Sequence, residues 1–229
     1  MSQTIPVITI DGPSGSGKGT IAQLLAKKLD WHYLDSGALY RAIGWAVLYK
    51  KIDLNDQRAL QNLVQHLQIK TQLLDHGDNI KIIVYNHDVT DEIRSEICGQ
   101  MASQTSTIPL IRQALLDRQR QMRQPPGLVT DGRDMGTIVF PDASIKFYFL
   151  ASAEERANRR FNQLKQKGKP ANLPDILREL KIRDERDANR VISPTKPAED
   201  AILVDTTQLD IQGVFQLVLQ KVRERSNFR

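Results

Sequence analysis

Seven residues, Gly12-Pro13-Ser14-Gly15-Ser16-Gly17-Lys18, constrain this chain more than any other stretch, because of what stands on either side of them. Before them comes Pro6-Val7-Ile8-Thr9-Ile10, a short β-rich run that stops at Asp11, as a buried parallel strand does. After them Ile21, Leu24, Leu25 and Leu29 repeat at three and four, which puts one helical stripe against a sheet. A G-x-x-x-x-G-K turn between strand and helix points successive backbone N–H groups at phosphate oxygens, and the helix N-terminus adds its dipole. Lys18 then supplies a point charge to the β- and γ-phosphates. Gly12 to Thr20 is therefore the candidate phosphate loop. The residue after the lysine is Gly19, with Thr20 next, which leaves Ser16, Thr20 or water alone open as the Mg²⁺ contact.

Strand-like runs recur at Trp31 to Leu34, Leu128 to Thr130, Ile145 to Leu150 and Ala201 to Val204, each followed by polar or glycine residues and a helical pattern. Strand, turn and helix in repetition predict an α/β fold: a P-loop NTPase-type parallel five-stranded sheet flanked by helices. The last helix would bury Ile211, Val214, Phe215, Val218 and Val222. Between Leu67 and Thr90 the rhythm breaks into short strand candidates, Ile69-Lys70-Thr71, Lys81 to Tyr85 and Asp88-Val89-Thr90, with turn residues Asp75-His76-Gly77-Asp78-Asn79 among them. The expected organisation is a core of residues 1–63 and 106–229 with a small antiparallel insertion at 64–105.

Composition narrows the field. No run nears the ~18 apolar residues that span a bilayer, and MSQTIPVITI lacks a basic segment ahead of a long apolar one, so a soluble cytoplasmic protein without a membrane partner is expected. Cys98 stands alone and reads as a small buried hydrophobe, with no metal role. The net charge of +5 is local: Arg156 to Lys196 holds twelve Lys/Arg against five Asp/Glu. Such a segment on a near-neutral body suits a nucleotide pair better than a long duplex. No apolar surface stripe is evident, which points to a monomer.

Three further clusters carry chemistry. Asp35-Ser36-Gly37-Ala38-Leu39-Tyr40-Arg41 lies at a strand-to-helix junction, where open α/β sheets bind ligands; Arg41 can fork onto a phosphate and Tyr40 can offer a face to a base. Thr130-Asp131-Gly132-Arg133-Asp134 packs charge directly after apolar Leu128-Val129, with Asp131 where P-loop enzymes place a metal-linked carboxylate. Arg133 can neutralise phosphate there, and Asp134 can accept hydrogen bonds. A helix from Asn172 to Arg190 passes from Ile176, Leu177 and Leu180 to Arg183, Arg186, Asp187 and Arg190 on nearly one face, an arginine rail for transferring phosphoryl charge. Upstream, Ala157, Phe161 and Leu164 form an apolar seam with Arg156, Arg159 and Arg160 opposing it, and Gly168-Lys169-Pro170-Ala171 breaks the two helices. Residues 153–190 thus read as an Arg-rich helical lid that excludes water. No histidine falls in a motif, which suits a reaction run by positioning and charge neutralisation.

Taken with Arg183-Asp184-Glu185-Arg186-Asp187, these motifs resemble the bacterial cytidylate kinases nearly end to end. The resemblance implies transfer of a phosphoryl group from MgATP to CMP or dCMP. It implies catalytic roles for Lys18, Arg133, Arg183 and Arg190, and donor binding by Gly12 to Thr20 with Arg159. On the acceptor side it implies Ser36 and Tyr40, the phosphate ligands Arg41, Arg133 and Arg190, the sugar ligand Asp187, and cytosine contacts from Ser103, Arg112 and Asp134. Mg²⁺ would be held by Thr20, Asp35 or Asp131, directly or through water. The base assignment has its own chemistry: cytosine presents an N4 amine where uracil presents an acceptor, so a carboxylate accepts from one and repels the other. Two rivals stay in view: a P-loop kinase for another small acceptor such as shikimate, and a nucleic-acid-binding NTPase. The latter would need stacking aromatics, and Phe161 is the one aromatic among the cationic helices.

Overall fold

The computed structural model describes residues 5–73 and 80–225, with the side chains of 71–73 and 80 excepted. The turn expected at Asp75 to Asn79 lies outside the described residues. The chain forms two compact units, Met1–Leu34 with Arg120–Arg229, and Asp35–Gln119.

In the first unit a five-stranded sheet has the order β2-β6-β1-β7-β8, built from β1 (Val7–Asp11), β2 (His32–Asp35), β6 (Leu128–Gly132), β7 (Ile145–Leu150) and β8 (Ile202–Asp205). β1 is central and buried at all five positions, pairing in parallel with β6 (Ile10↔Asp131) and β7 (Ile10↔Phe147). That placement is why its sequence is a continuous apolar run and not an alternation. Helices α1 (Lys18–Leu29) and α8 (Ile211–Arg225) cover the sheet through Ile21, Leu25, Val214, Val218 and Val222, packed on Ile8, Ile10, Val129 and Phe147. The parallel α/β reading holds, with strand ends moved by one or two residues.

Three expectations need correction. Ile211, the first residue of α8, is 55 % exposed, and the buried face of the helix is Val214, Val218, Leu219 and Val222. In α6 (Ala153–Gln166) Arg156 is buried with Ala157 and does not oppose it. In α7 (Leu173–Ala188) Ile176, Leu177 and Leu180 are half-buried, while Asp187 is the buried residue of that helix. Arg190 falls beyond the last turn of α7, so the expected rail of three arginines along a helix is not straight.

The second unit begins with α2 (Ser36–Tyr49), capped by Asp35, whose Oδ1 accepts from the Ala38 N–H at 2.9 Å. It continues through α3 (Gln57–His66) and an antiparallel sheet of β3 (Ile69–Leu73), β4 (Ile80–Val84) and β5 (His87–Asp88). A 3₁₀ turn (Glu92–Arg94), α4 (Glu96–Thr105) and most of α5 (Pro109–Gln121) complete it. Cys98 is buried, as expected. The antiparallel strands lie within the 64–105 span. α2 and α4 cross closely at Gly44, where a Cβ would stand 3.0 Å from the Ala102 nitrogen and 3.1 Å from the Cys98 oxygen. Among the described residues no helix is long and apolar enough to cross a membrane.

Candidate active site

In the first unit the loop after β1 turns under steric compulsion. A Cβ on Gly12 would stand 2.5 Å from the Phe149 carbonyl oxygen, and Gly17, just before α1, has φ of +87°. Both positions therefore demand glycine. Lys18 is buried in this state, its Nζ donating to the Pro13 carbonyl at 3.2 Å, and Ser16 Oγ donates to the same oxygen at 3.0 Å. Ser16 is thus committed to shaping the loop. Thr20 is exposed on the first turn of α1.

Two residues that the sequence left without individual roles fix this loop from behind. Arg156 donates to Ser14 O at 3.1 Å, to Ala151 O at 3.0 Å and to Asp184 at 2.6 Å, tying the loop to α6 and α7. Thr206, following β8, is 1 % exposed, and its hydroxyl lies 3.0 Å from Ser16 O and 3.1 Å from Leu150 O. Arg159 donates to that same hydroxyl at 3.3 Å and to Glu155 at 2.9 Å, so it stands beside the loop. Arg156 was legible only as one of many cations, and Thr206 gave no signal beyond its place at a strand end.

Asp131 closes β6 beside the phosphate loop. It is 5 % exposed, accepts from Tyr33 Oη at 2.7 Å, and both its oxygens would stand 3.7 Å from a Cβ on Gly19. Among the described residues no three His, Cys, Asp or Glu side chains form a metal cage. A carboxylate at the start of the loop helix fits Mg²⁺ nonetheless, since that ion keeps waters and takes one or two carboxylates plus substrate phosphates.

Three predicted arginines meet at Asp187, itself a predicted site residue, which is 3 % exposed. Arg133 Nε lies 3.0 Å from Oδ2 and Arg183 Nε 3.9 Å, while Arg190 Nη2 bonds Oδ1. Burial alone would raise the Asp187 carboxyl, but Arg133, Arg190 and Arg183 outweigh it and hold it at about 2. Of the expected rail, Arg183 and Arg190 gather on this one anion, and Arg133, in place of Arg186, completes a ring of three arginines around it. A cavity of about 430 Å³ opens beside it, lined by Pro13, Tyr148, Arg156, Asp184, Asp187 and Thr207, among others.

The second unit carries the other acceptor-side residues. Arg41 donates to Ile93 O at 2.8 Å and to Ser95 O at 3.0 Å, and Gly99 makes room for it: a Cβ there would come within 2.9 Å of Nη2. Tyr40 is buried with the Arg112 guanidinium 5.8 Å from its ring centroid, and Arg112 also donates to Ser106 O at 3.3 Å. Ser36 and Ser103 are buried, on α2 and α4. Asp134, 3 % exposed, belongs to the first unit, so the three residues expected to read a base are divided between the units.

A phosphate loop on the central strand, an acidic strand end and a ring of arginines define a P-loop phosphotransferase. A model of the family described as cytidylate kinase matches residues 8–224. A cytidylate kinase of Coxiella burnetii is 54 % identical over 96 % of this chain and 93 % of its own, and one of Stutzerimonas stutzeri is 52 % identical over 98 % of each. A crystal structure of an uncharacterized protein from Eubacterium ventriosum superposes with a TM-score of 0.51 at 13 % identity, over 96 % of this chain and 99 % of that one, a likeness of fold alone. The chain belongs to the cytidylate kinase family.

Proposed function

We propose that this chain transfers the γ-phosphoryl group of MgATP to CMP or dCMP, giving ADP and CDP or dCDP, by charge neutralisation without a general base. What carries the reading is the ring of Arg133, Arg183 and Arg190 on Asp187, in the unit that holds the phosphate loop, within a chain of this family. Phosphoryl transfer spreads negative charge over equatorial oxygens, and guanidinium groups held in place stabilise it without reorganising. Gly12 to Thr20 and Arg159 bind the donor, and Lys18 leaves the Pro13 carbonyl for the phosphates. Mg²⁺, when bound, neutralises phosphate charge; Asp131 and Thr20 are the residues that would hold it, directly or through water, with Asp35 less suited because it caps α2.

On the acceptor side Arg41, Arg133 and Arg190 take the CMP phosphate and Asp187 the sugar. Ser36 and Tyr40 line the site, and Asp134 with Ser103 and Arg112 reads cytosine. Residues 64–105 serve as the acceptor-binding insertion and 153–190 as the lid that closes over the reacting groups. The enzyme works as a cytoplasmic monomer on small nucleotides, without nucleic acid. A coupled ADP-release assay with MgATP and CMP, dCMP, UMP, AMP, GMP or shikimate tests this. Strong activity with CMP and dCMP and weak activity with UMP is expected; preference for another acceptor would overturn the base assignment.

A further inference from the structure

Asp11 has no place among the expected binding and catalytic residues, yet its bonds are particular. Asp134 immediately precedes a π-helical turn (Met135–Val139), the position from which an aspartate ordinarily accepts the first N–H groups of its own turn, and it makes no such capping bond. Asp11, at the end of β1, does so instead: Oδ1 accepts from the Met135 N–H at 2.9 Å and Oδ2 from the Gly136 N–H at 2.8 Å. Asp11 is 4 % exposed, and a Cβ on Gly136 would stand 2.8 Å from Thr9 Oγ1, so the turn is seated directly on β1.

We infer that Asp11 is a positioning residue for acceptor selection: by capping this turn from the neighbouring strand it locks the base-reading segment that begins at Asp134 to the strand that delivers the phosphate loop. This rests on the reading of Asp134 given above. Both Asp11 oxygens receive an N–H, and the ionised carboxylate accepts both most strongly; a proton weakens acceptance at the oxygen that carries it, and an amide at this position sets a donor against a donor. The charged and titratable groups around Asp11 are Asp134 on the turn, Lys18 on α1 and Tyr148 on β7, while its partner on β6 is Gly132. Burial pushes the Asp11 carboxyl up to about 6, against the lowering by the Gly136 and Met135 N–H bonds. Mild acid therefore weakens the cap.

The test is the CMP-over-UMP ratio of kcat/KM between pH 5 and 8, with amide ¹H–¹⁵N resonances of the native protein followed over the same range. The expected results are a ratio that falls as pH drops through about 6, with the Met135 and Gly136 amides titrating at the same midpoint. Asp11→Asn, confirmed folded by its melting curve, should lose about tenfold in the ratio at neutral pH, with KM for CMP raised and KM for ATP changed less than about twofold. A folded Asp11→Asn that keeps the ratio while Asp134→Asn loses it would overturn this inference alone. Retention of the ratio in both variants would overturn the reading of Asp134 and this inference with it. Should Asp11→Asn not fold, the amides decide: no titration of Met135 and Gly136 between pH 5 and 7 overturns the inference.

Discussion

Lys18 and Asp134 show how much a single side chain carries. The Lys18 ammonium is held on the Pro13 carbonyl at 3.2 Å, so its charge is already at the mouth of the loop before a phosphate arrives. Lys18→Ala removes that charge while leaving the turn to Gly12, Gly17 and the bonds from Arg156 and Thr206. Turnover should fall by about 10²-fold or more with the melting temperature nearly unchanged; near-native kcat in steady-state assays would defeat the assignment. Asp134→Asn keeps shape but, on the proposed base reading, exchanges an acceptor for a donor opposite the cytosine amine. The preference for CMP over UMP should shrink by about 1–3 kcal/mol, read from kcat/KM for the two acceptors. Asp187 differs from both, because three guanidiniums surround it and its charge sets where they point.

Among the elements, the strands and the phosphate loop were legible because each is local: β1, β7 and α1 are runs whose period shows their burial. The loop also carries its glycines for reasons readable at the residue itself. What the sequence did not reveal depends on residues brought together from a distance. Arg156 looks like any cation of a basic helix until Ser14, Ala151 and Asp184 converge on it. Arg190 continues a helical spacing on paper, yet α7 ends at Ala188, and the chain turns it back onto Asp187. Gly99 carried no signal at all: its meaning is the space left on α4 for the Arg41 guanidinium, 2.9 Å from where a Cβ would be. Gly99→Ala should therefore displace Arg41 from the Ile93 and Ser95 carbonyls and raise KM for CMP about fivefold or more, with KM for ATP unchanged. Equal KM values for CMP would show that Arg41 does not engage the acceptor.

At the scale of the whole molecule, cations and carboxylates are arranged so that the site stays charged across the physiological range. Asp187 ionises at about 2 in the folded chain and near 3.9 when unfolded. Its depressed value contributes stability that is fully present above about pH 4 and is lost as pH falls through about 2. In urea unfolding, the stability difference between the native chain and Asp187→Asn should be flat from pH 5 to 8 and shrink below about pH 4. A difference that persists undiminished toward pH 2 would mean that the charge of Asp187 is not what holds the three arginines. In the proposed reaction the phosphoryl group goes to a nucleotide and not to water. Chromatography of the nucleotides formed from MgATP and CMP decides between these two fates. ADP and CDP should appear in equal amounts from the earliest time point; ADP accumulating with free phosphate while CMP remains intact would contradict it.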